Sequence, residues 1–292
     1  MTSYGLLANL IVDGFVSGCI YAMLAIGFSL TWWVSNVVHL AHGGVLVAAG
    51  LVLYLFVGIF GVPLPIGIAA ALIAAGVLGF GTDRLIYQPL KERRTDEMGM
   101  LTASLGALII IEYSLVIAFG LDGATLDAGA MRTPLAPSVV LVLDPFAIAV
   151  VVSTGLVFAA LTGFMHFTVY GKRIQAVAQN PDLAGVLGID IVGVARQTTL
   201  IAAFLVVPAA SFMLYNTGVR PIEALHIVLV AAIVAIIGGR GSIIGALVAG
   251  IVVGVAESAT VWYLAAGWRL LITFLILYAV LLYRPHGLFG RV

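Results

Sequence analysis

Two histidines lie three positions apart in the stretch "SNVVHLAHGG", where a long apolar run is interrupted. Residues at this spacing share one face of a helix, so His39 and His42 could bind a metal ion if a third ligand joined them. No acidic residue follows, because Gly43 and Gly44 take the next positions. The pattern therefore favours a polar joint that packs or lines a path, with a metal site as the second interpretation.

Acidic residues inside apolar runs form the second group that could do chemistry. Asp13, Glu112 and Glu257 lie within such runs or at their edges. A charge at the centre of a bilayer costs at least ~2.5 kcal/mol, so such residues usually face the protein interior or a water-filled cavity. For Glu112 and Glu257, the sequence supports a substrate contact and a packing role equally. For Asp13, which lies closer to the end of its run, a packing role is favoured.

Sequence motifs of catalysis are missing. The stretch "YGKRIQ" has Gly171 and Lys172 but no upstream glycine at the spacing of a phosphate-binding loop. Arg173 also replaces the Ser or Thr that would contact magnesium. Because no G-x-S-x-G elbow occurs either, we predict no catalytic residues, no bound metal or cofactor, and no ATP hydrolysis by the chain itself.

The elements that must position these side chains are apolar helices. Of the 292 residues, 63% are hydrophobic and 9% are charged. A soluble domain carries roughly 25% charged residues, so the bilayer is the expected solvent for this chain. The formal net charge is zero, which indicates no nucleic-acid partner, and Cys19 as the single cysteine cannot form an internal disulfide.

Nine apolar runs follow one another along the chain: 6–34, 40–60, 65–80, 101–119, 139–164, 198–214, 227–237, 243–256 and 270–283. We predict an all-α, polytopic transmembrane bundle of about 8–10 spans, with broken or re-entrant helices allowed, in a single domain. That domain covers residues 1–292. The short runs 227–237 and 243–256 are either tightly packed spans or half-helices that meet at "GGRGS".

Basic loops determine the predicted orientation, since short basic loops stay in the cytoplasm. The loops 82–99 and 166–197 and the tail hold the basic residues Arg84, Lys91, Arg93, Arg94, Lys172, Arg173, Arg196, Arg284 and Arg291. These loops and the C-terminus are therefore predicted to be cytoplasmic. The loop 120–138 has only Arg132 against two acids, so we place it outside. Nine spans put the N-terminus outside too, unless a re-entrant segment near it reverses that end.

The predicted cytoplasmic loop 166–197 is long enough to carry structure of its own. Asn180-Pro181 should end one helix, and proline suits the first turn of the next. Apolar residues recur at helical spacing on both sides of this break, at Ile174, Val177, Ala178, Leu183, Val186, Leu187 and Ile189. Two short amphipathic helices are predicted, which either dock onto a partner protein or lie against the chain's own bundle.

Glycine is abundant, with 34 residues, and pairs of glycines recur four positions apart. These pairs are Gly14 with Gly18, Gly241 with Gly245, and Gly250 with Gly254. Small residues at this spacing let helix backbones approach closely in lipid. The glycines therefore predict a tightly packed bundle.

Five segments resemble a known family, and two of them are "GFVSGCIYAMLAIGFSLTW" and "YQPLKERR". The other three are "YGKRIQAVAQNPDLAGVLGID", "GGRGSIIGALVAGIVVGVAES" and "YRPHGLFG", and all five are similar, in the right order, to elements of the branched-chain amino-acid ABC-importer permeases, the LivH-like family. Of the last three, the first match implies ATPase-coupling positions at Gly171, Arg173, Ala176, Ala184, Leu187 and Gly188. The second match implies packing or hinge positions at Gly238, Gly239, Gly241, Ser242 and Gly245.

The resemblance implies a permease subunit in the bacterial cytoplasmic (inner) membrane that is not itself an enzyme. Its implied partners are a second permease chain, homologous or identical, two ATPase subunits and a periplasmic solute-binding protein. Branched-chain or related amino acids would then cross by ATP-driven alternating access. Related permeases handle urea, short amides and other small polar solutes. An ion-coupled secondary transporter and a membrane enzyme that uses His39 and His42 are the competing hypotheses.

The family's element "Y-G-x-x-G-x-x-N-x-A-H-G-E" is changed in this chain. Asn36 replaces a glycine, His39 an asparagine and Gly44 the glutamate, while His42 is kept. Glu112 stands where the family commonly has glutamine. The loss of an acid at Gly44 and the gain of one at Glu112 would alter the polar lining of a substrate path. The resemblance therefore does not identify the substrate. The resulting candidates for the substrate path are His39, His42, Gly44, Glu112 and Glu257.

Overall fold

The computed structural model describes residues 3–93, 95–132 and 144–290, and these ranges are helical almost throughout. No strand forms within them, and the backbones of Ala124 and Val219 pair only in an isolated bridge. The prediction of an all-α protein is therefore confirmed. Two of the basic residues used to predict orientation, Arg94 and Arg291, lie outside the described residues, as does the end of the predicted outer loop.

The α-helices of the described part are numbered in chain order. They are α1 (Ser3–Ser35), α2 (Ala41–Tyr54), α3 (Leu64–Thr82), α4 (Gln88–Glu92), α5 (Glu97–Phe119), α6 (Pro145–Phe167), α7 (Val169–Gln179), α8 (Pro181–Val186), α9 (Ile191–Asn216), α10 (Ala224–Gly238), α11 (Ile243–Tyr263) and α12 (Arg269–Tyr283). The π-helical turns Leu55–Ile59 and Asp83–Tyr87 extend α2 and α3. Short 3₁₀ turns form at Gly129–Arg132, Pro221–Glu223 and Ala266–Trp268.

Each of the nine apolar runs contains a helix within the described residues. Within the described residues, eight helical segments are long and apolar enough to cross a membrane, and the shorter α12 is apolar as well. Around "GGRGS", the segment Pro221–Gly238 has 18 residues and α11 has 21, so each is long enough to span by itself. The structure thus favours two tightly packed spans over two half-helices, and the predicted polytopic bundle is confirmed.

The chain divides into two compact units. The first comprises Met1–Ile26, Asp127–Phe158 and Val230–Val292, and the second comprises Gly27–Leu126 and Ala159–Leu229. Each unit draws on segments far apart in the chain. The assignment of residues 1–292 to a single domain stays a prediction.

Within the first unit, α1 packs against α11 through two pairs of glycines. A β-carbon added to Gly18 would lie 2.6 Å from the Ile251 Cα, and one added to Gly250 would lie 2.7 Å from the Ala22 backbone nitrogen. A β-carbon on Gly254 would collide with the backbone of Gly18. Two of the glycine pairs seen in the sequence therefore face each other and bring the two backbones into direct contact.

Within the second unit, α2 is the central helix. Its residues from Ala41 to Leu51 are all buried, and it packs against α3, α5 and α9. Glycine again permits this packing, because a β-carbon on Gly43 would collide with the Ala224 carbonyl oxygen. The segment "AHGGVLVAAG" is thus buried on every side, which explains why small residues are so frequent in it.

The glycine contact of the first unit predicts a strong effect of Gly254→Leu. The added side chain would push α11 away from α1, and overpacking of this kind costs about 1–3 kcal/mol. We expect a lower thermal unfolding temperature of the detergent-solubilised protein.

Gly155→Leu is the matched control, because a β-carbon at Gly155 in α6 meets no atom within 4 Å. An equal loss of stability in both variants would contradict the role assigned to the glycine contact.

Candidate functional site

The polar joint between α1 and α2 begins at a residue with left-handed backbone geometry. After Ser35 ends α1, Asn36 has a φ of 58°. Few residues other than glycine adopt this region, and asparagine is among those that do. The replacement of the family's glycine by Asn36 therefore keeps the turn.

His39 is buried in this joint and bound to a chain of hydroxyl groups. Its Nδ1 is hydrogen-bonded to the Tyr87 hydroxyl, which lies 2.7 Å from the Ser104 Oγ. The Ser104 Oγ in turn accepts a hydrogen bond from the Ala41 backbone N–H, at 3.3 Å. This His39–Tyr87–Ser104 network joins the start of α2 to the π-helical turn after α3 and to α5.

The ring of His39 carries no charge at physiological pH. Burial lowers the pKa of this imidazole well below its usual range, and the neighbouring His42 lowers it further. A neutral imidazole can both donate and accept hydrogen bonds, which suits a bridge to a tyrosine hydroxyl.

His42 is buried beside His39, with 5.9 Å between the ring centroids. Its ring also stands edge-on to Phe28, and a β-carbon on Gly27 would lie 3.1 Å from it. The two histidines lie together as predicted but do not share one helix, because His39 lies in the turn before α2 and His42 lies in the first turn of α2. Among the described residues, no group of three His, Cys, Asp or Glu side chains could hold a metal ion.

The two acid positions that depart from the family pattern fall in one region. A β-carbon on Gly44 would lie 3.0 Å from the Ile111 Cγ2, so α2 and α5 are in close contact there. The next residue along α5 is Glu112, which is partly exposed. Gly44 contacts Ile111, and Glu112 is the residue that follows Ile111 on α5.

Glu257 lies in the first unit and is only 5% exposed. Its Oε2 accepts a hydrogen bond from the Tyr21 hydroxyl at 2.8 Å, and its Oε1 accepts one from the Thr273 hydroxyl at 2.6 Å. Helices α1 and α12 thus hold the carboxyl group of α11 from both sides. Both oxygens have donors, which reduces the cost of burying this group.

A second buried acid, Asp83, was missed by the sequence reasoning. It lies 3.8 Å from the Arg196 Nε and accepts a hydrogen bond from the Gln88 side chain at 2.6 Å. Arg196 Nη2 also donates to the Gln88 side-chain Oε1 at 3.1 Å. Arg196 served only as a marker of orientation in the sequence, although it joins α9 to the turn after α3.

The hydroxyl partners were missed as well, because their sequence signal is weak. Tyr21, Tyr87, Ser104 and Thr273 lie in apolar helical segments. Ser and Thr there often bond only to their own helix backbone, and tyrosine is common in apolar runs without a specific partner. One available signal is the coincidence of a buried acid or histidine with hydroxyl residues in other apolar runs. The sequence does not show which hydroxyl residue binds which acid or histidine, because that depends on how the helices pack.

The predicted pair of helices in the loop 166–197 is confirmed. α7 ends at Gln179 and α8 begins at Pro181, with the Asn180 side chain accepting a hydrogen bond from the Leu183 backbone N–H. On α7, the residues Gly171, Ile174 and Val177 are buried, and a β-carbon at Gly171 would collide with the end of α6. The first helix therefore lies against the chain's own helices.

The second helix of this loop leaves most of its apolar residues uncovered. Val186 is 84% exposed and Leu187 is 71% exposed, whereas Ala184 is buried. Gly188 follows with a φ of 78°, which favours glycine. Of the remaining coupling candidates, Arg173 is exposed and Ala176 is partly exposed. The structure gathers the six candidates on α7, on α8 and just after α8.

The "GGRGS" turn is tightly packed inside the first unit. Gly239 and Gly241 have φ values of 96° and 73°, and Ser242 caps α11 by accepting a hydrogen bond from the Gly245 N–H. Gly238 is in backbone contact with Gly245. The C-terminal tail binds here too, through hydrogen bonds from Leu288 and Phe289 to the end of α10. Gly238 and Gly239 are buried, whereas Arg240 is exposed and Gly241 and Ser242 are partly exposed. The packing or hinge role of this turn stays a prediction.

Helices long enough to span a bilayer, with buried polar groups satisfied by neighbouring helices, define a multi-pass membrane protein. The sequence model of one protein family matches residues 10–281; that family is described as branched-chain amino acid transport system / permease component. The chain belongs to this family, and the resemblance seen in its motifs is confirmed.

Curated relatives cover nearly the whole chain. The high-affinity branched-chain amino acid transport system permease protein LivH of Salmonella typhimurium is 25% identical over 96% of this chain and 94% of its own length. The corresponding protein BraD of Pseudomonas aeruginosa is 27% identical over 96% and 95%. A solved structure, PsaBC from Streptococcus pneumoniae in complex with Fab, has a TM-score of 0.50 at 12% identity over 98% of this chain and 92% of that chain. This last similarity concerns the fold alone.

The His39–Tyr87–Ser104 network predicts a loss of stability in Tyr87→Phe. The variant removes one hydroxyl and leaves a buried imidazole nitrogen without its partner, which costs about 1–3 kcal/mol. Thermal unfolding in detergent should show the loss. Tyr113→Phe is the control, since Tyr113 is exposed on α5. Equal stability of the two variants would contradict a structural role for the network.

Proposed function

We propose that this chain is the translocating subunit of an ABC importer, a permease that depends on partner ATPases for energy. The observation that carries the proposal is the exposed apolar surface of α8, formed by Leu183, Val186 and Leu187. It lies in a loop predicted to be cytoplasmic, in a chain without a phosphate-binding loop. A transport protein of this family needs an energised partner, and this surface is suited to contact one.

The contacts of the second unit support a route for the coupling movement. α7 is held against the end of α6 at Gly171, and α9 follows α8 after a short turn. Near its start, α9 is bound to the turn after α3 through Arg196 and Asp83. Closure of the ATPase pair would displace α7 and α8, and this displacement would reach the buried helices through those contacts. The bundle would then alternate between openings to either side.

The proposed substrates are branched-chain or related amino acids. Support comes from the relatives, whose names describe branched-chain amino acid transport. Gly44 and Glu112 differ from the family pattern at the α2–α5 contact, and this difference keeps a second substrate class in view. Under that alternative, the same architecture imports urea, short amides or another small polar solute.

The proposed assembly contains a second permease chain, homologous or identical, two ATPase subunits and a periplasmic solute-binding protein. The chain would lie in the bacterial cytoplasmic membrane with its C-terminus and α7–α8 in the cytoplasm. In this orientation the loop after α5 faces the binding protein.

The two competing hypotheses make different predictions. An ion-coupled secondary transporter would take up solute without any ATPase, and a membrane enzyme using His39 and His42 would bind metal and act without partners. The described contacts do not favour the enzyme, because His39 and His42 pack against Tyr87 and Phe28.

Co-purification tests the proposal directly. Expressed with its neighbouring genes, the chain should co-purify with an ATPase subunit, and Val186→Asp should reduce the recovered ATPase by about tenfold. The physical reason is that a charge replaces an exposed apolar contact. Loss of ATP-driven uptake in reconstituted vesicles should accompany it.

Leu121→Asp is the matched control, because Leu121 is an exposed apolar residue after α5, in the loop predicted to be outside. It should retain the ATPase. If the wild-type chain never associates with an ATPase, the proposed function is wrong.

Glu112 on α5, which stands where the family commonly has glutamine, provides a second test. Glu112→Gln restores the residue common in the family and should change the uptake rate of at least one substrate by about tenfold, the size expected for a charged hydrogen bond. Uptake of a panel of amino acids and amides in vesicles measures this. Asp122→Asn, at an exposed site after α5, is the control. Unchanged uptake across the whole panel would assign Glu112 a structural role.

A further inference from the structure

The junction between α6 and α7 is held rigid by side-chain hydrogen bonds. The Thr168 hydroxyl donates to the Phe164 carbonyl oxygen at 2.7 Å and accepts a hydrogen bond from the Gly171 backbone N–H at 3.0 Å. The Gln175 amide donates to the Met165 carbonyl oxygen at 2.6 Å. Gly171 also lets the two helices touch, because a β-carbon there would collide with the end of α6. The direction in which α7 leaves α6 is therefore fixed.

Large apolar side chains at this junction are exposed. Phe167, the last residue of α6, is 89% exposed, and Val169 and Tyr170 at the start of α7 are 65% and 51% exposed. α6 itself is long and apolar enough to span a membrane. Exposed aromatic and apolar residues at the end of a span are typical of the boundary between acyl chains and headgroups. The junction is therefore suited to lie in that boundary.

Two basic side chains stand next to these apolar residues. Lys172 and Arg173 are both exposed in the first turns of α7, and the Arg173 guanidinium lies 5.6 Å from the centre of the Tyr170 ring. No acidic residue occurs between Pro145 and Pro181 in the sequence. In the part of the chain that the structure describes, neither Lys172 nor Arg173 forms an ion pair. The junction thus places positive charge beside exposed apolar surface.

We propose that the junction surface, formed by Phe167, Val169, Tyr170, Lys172 and Arg173, binds an acidic phospholipid of the cytoplasmic leaflet. The headgroup layer is about 5–8 Å thick on each side of a bilayer, so charged side chains next to the end of a span lie at its level. The phosphate oxygens of the lipid would accept hydrogen bonds from Lys172 and Arg173, and its acyl chains would lie against Phe167. The inference goes beyond the proposed function and uses only its orientation, with α7 and α8 in the cytoplasm.

Continuity with a membrane-spanning helix favours lipid over the ATPase at this surface. Ala160 and Phe167 are both exposed and lie two helical turns apart on one face of α6. The exposed apolar residues of α8 lie beyond the break at Asn180-Pro181, on a separate helix. The junction surface therefore continues an exposed apolar face of a span, whereas α8 keeps the surface proposed for the ATPase.

Lipid binding to the purified full chain in detergent tests the proposal. Native mass spectrometry measures the affinities for phosphatidylglycerol, which is acidic, and for phosphatidylcholine, which carries no net charge. Each basic residue near an acidic membrane surface changes binding by about fivefold. The wild-type chain should therefore bind phosphatidylglycerol at least about fivefold more tightly than phosphatidylcholine. Equal affinities for the two lipids would overturn the proposal.

Lys172 carries the test, since Arg173 is also a coupling candidate. Lys172→Gln should lower the affinity for phosphatidylglycerol about fivefold and leave that for phosphatidylcholine unchanged, whereas Lys172→Arg should retain both. Phe167→Ser removes an apolar contact that both lipids share, so it should weaken both alike. An unchanged affinity for phosphatidylglycerol in Lys172→Gln would contradict the proposal.

Arg93→Gln is the matched control. Arg93 is exposed in the other long loop predicted to be cytoplasmic, but it lies beside Glu92 and Asp96. It should leave both lipid affinities unchanged, and a loss equal to that of Lys172→Gln would reject the junction as the site. Soluble glycerol phosphate should not displace phosphatidylglycerol. Displacement would assign the junction to a free phosphate and overturn the proposal for a lipid.

Lipid binding is measured without the ATPase, so its failure and the failure of the importer assembly are separate results. Lys172→Gln should co-purify with the ATPase as the wild-type chain does. Loss of the ATPase with unchanged phosphatidylglycerol binding would assign this surface to the ATPase and overturn the proposal. A wild-type chain that binds phosphatidylglycerol as expected but never associates with an ATPase rejects only the proposed function.

Discussion

Polar groups buried among apolar helices must find their partners inside the protein, since lipid offers none. Glu257 is buried with donors from two other helices, His39 is bound to Tyr87, and Asp83 is bound to Gln88 and Arg196. The Glu257, His39–Tyr87 and Asp83–Arg196 contacts each join segments far apart in the chain, whereas Gln88 lies in the same helical segment as Asp83. These hydrogen bonds therefore determine which helices are neighbours, in a chain whose helix surfaces are otherwise apolar on all sides.

Small residues make these polar contacts geometrically possible. A side-chain hydroxyl reaches only a few ångströms, so helices that share a polar group must approach closely. In the first unit, Gly18 and Gly254 bring the backbones of α1 and α11 into contact, and the Tyr21 hydroxyl of α1 reaches Glu257 of α11. The glycine pairs and Glu257 thus belong to the same helix contact. The glycines let the two helices approach closely, and the hydrogen bond of Glu257 determines which helices pair.

The candidate site could be predicted only in part, for reasons that differ among its residues. His39, His42 and Glu257 stood out because polar residues in apolar runs are costly to bury. Asp83 and Arg196 lie near the ends of their runs, where charged residues are common, so nothing marked them as a pair. Asp13 was assigned to packing, yet it lines a cavity together with Arg269. Sequence position reports the depth of a residue along a helix but not the direction of its side chain.

Composition and apolar run length by themselves determined the helical membrane fold, because a bilayer permits little besides spanning helices for such a sequence. The break at Asn180-Pro181 likewise followed from local backbone chemistry. Only the tertiary structure decided that His39 meets Tyr87, that Gly44 lies beside Ile111, and that Asp13 and Arg269 share a cavity. These contacts join residues dozens to hundreds of positions apart. Helices apolar on every side can rotate and pair in many ways until particular small and polar residues select one arrangement.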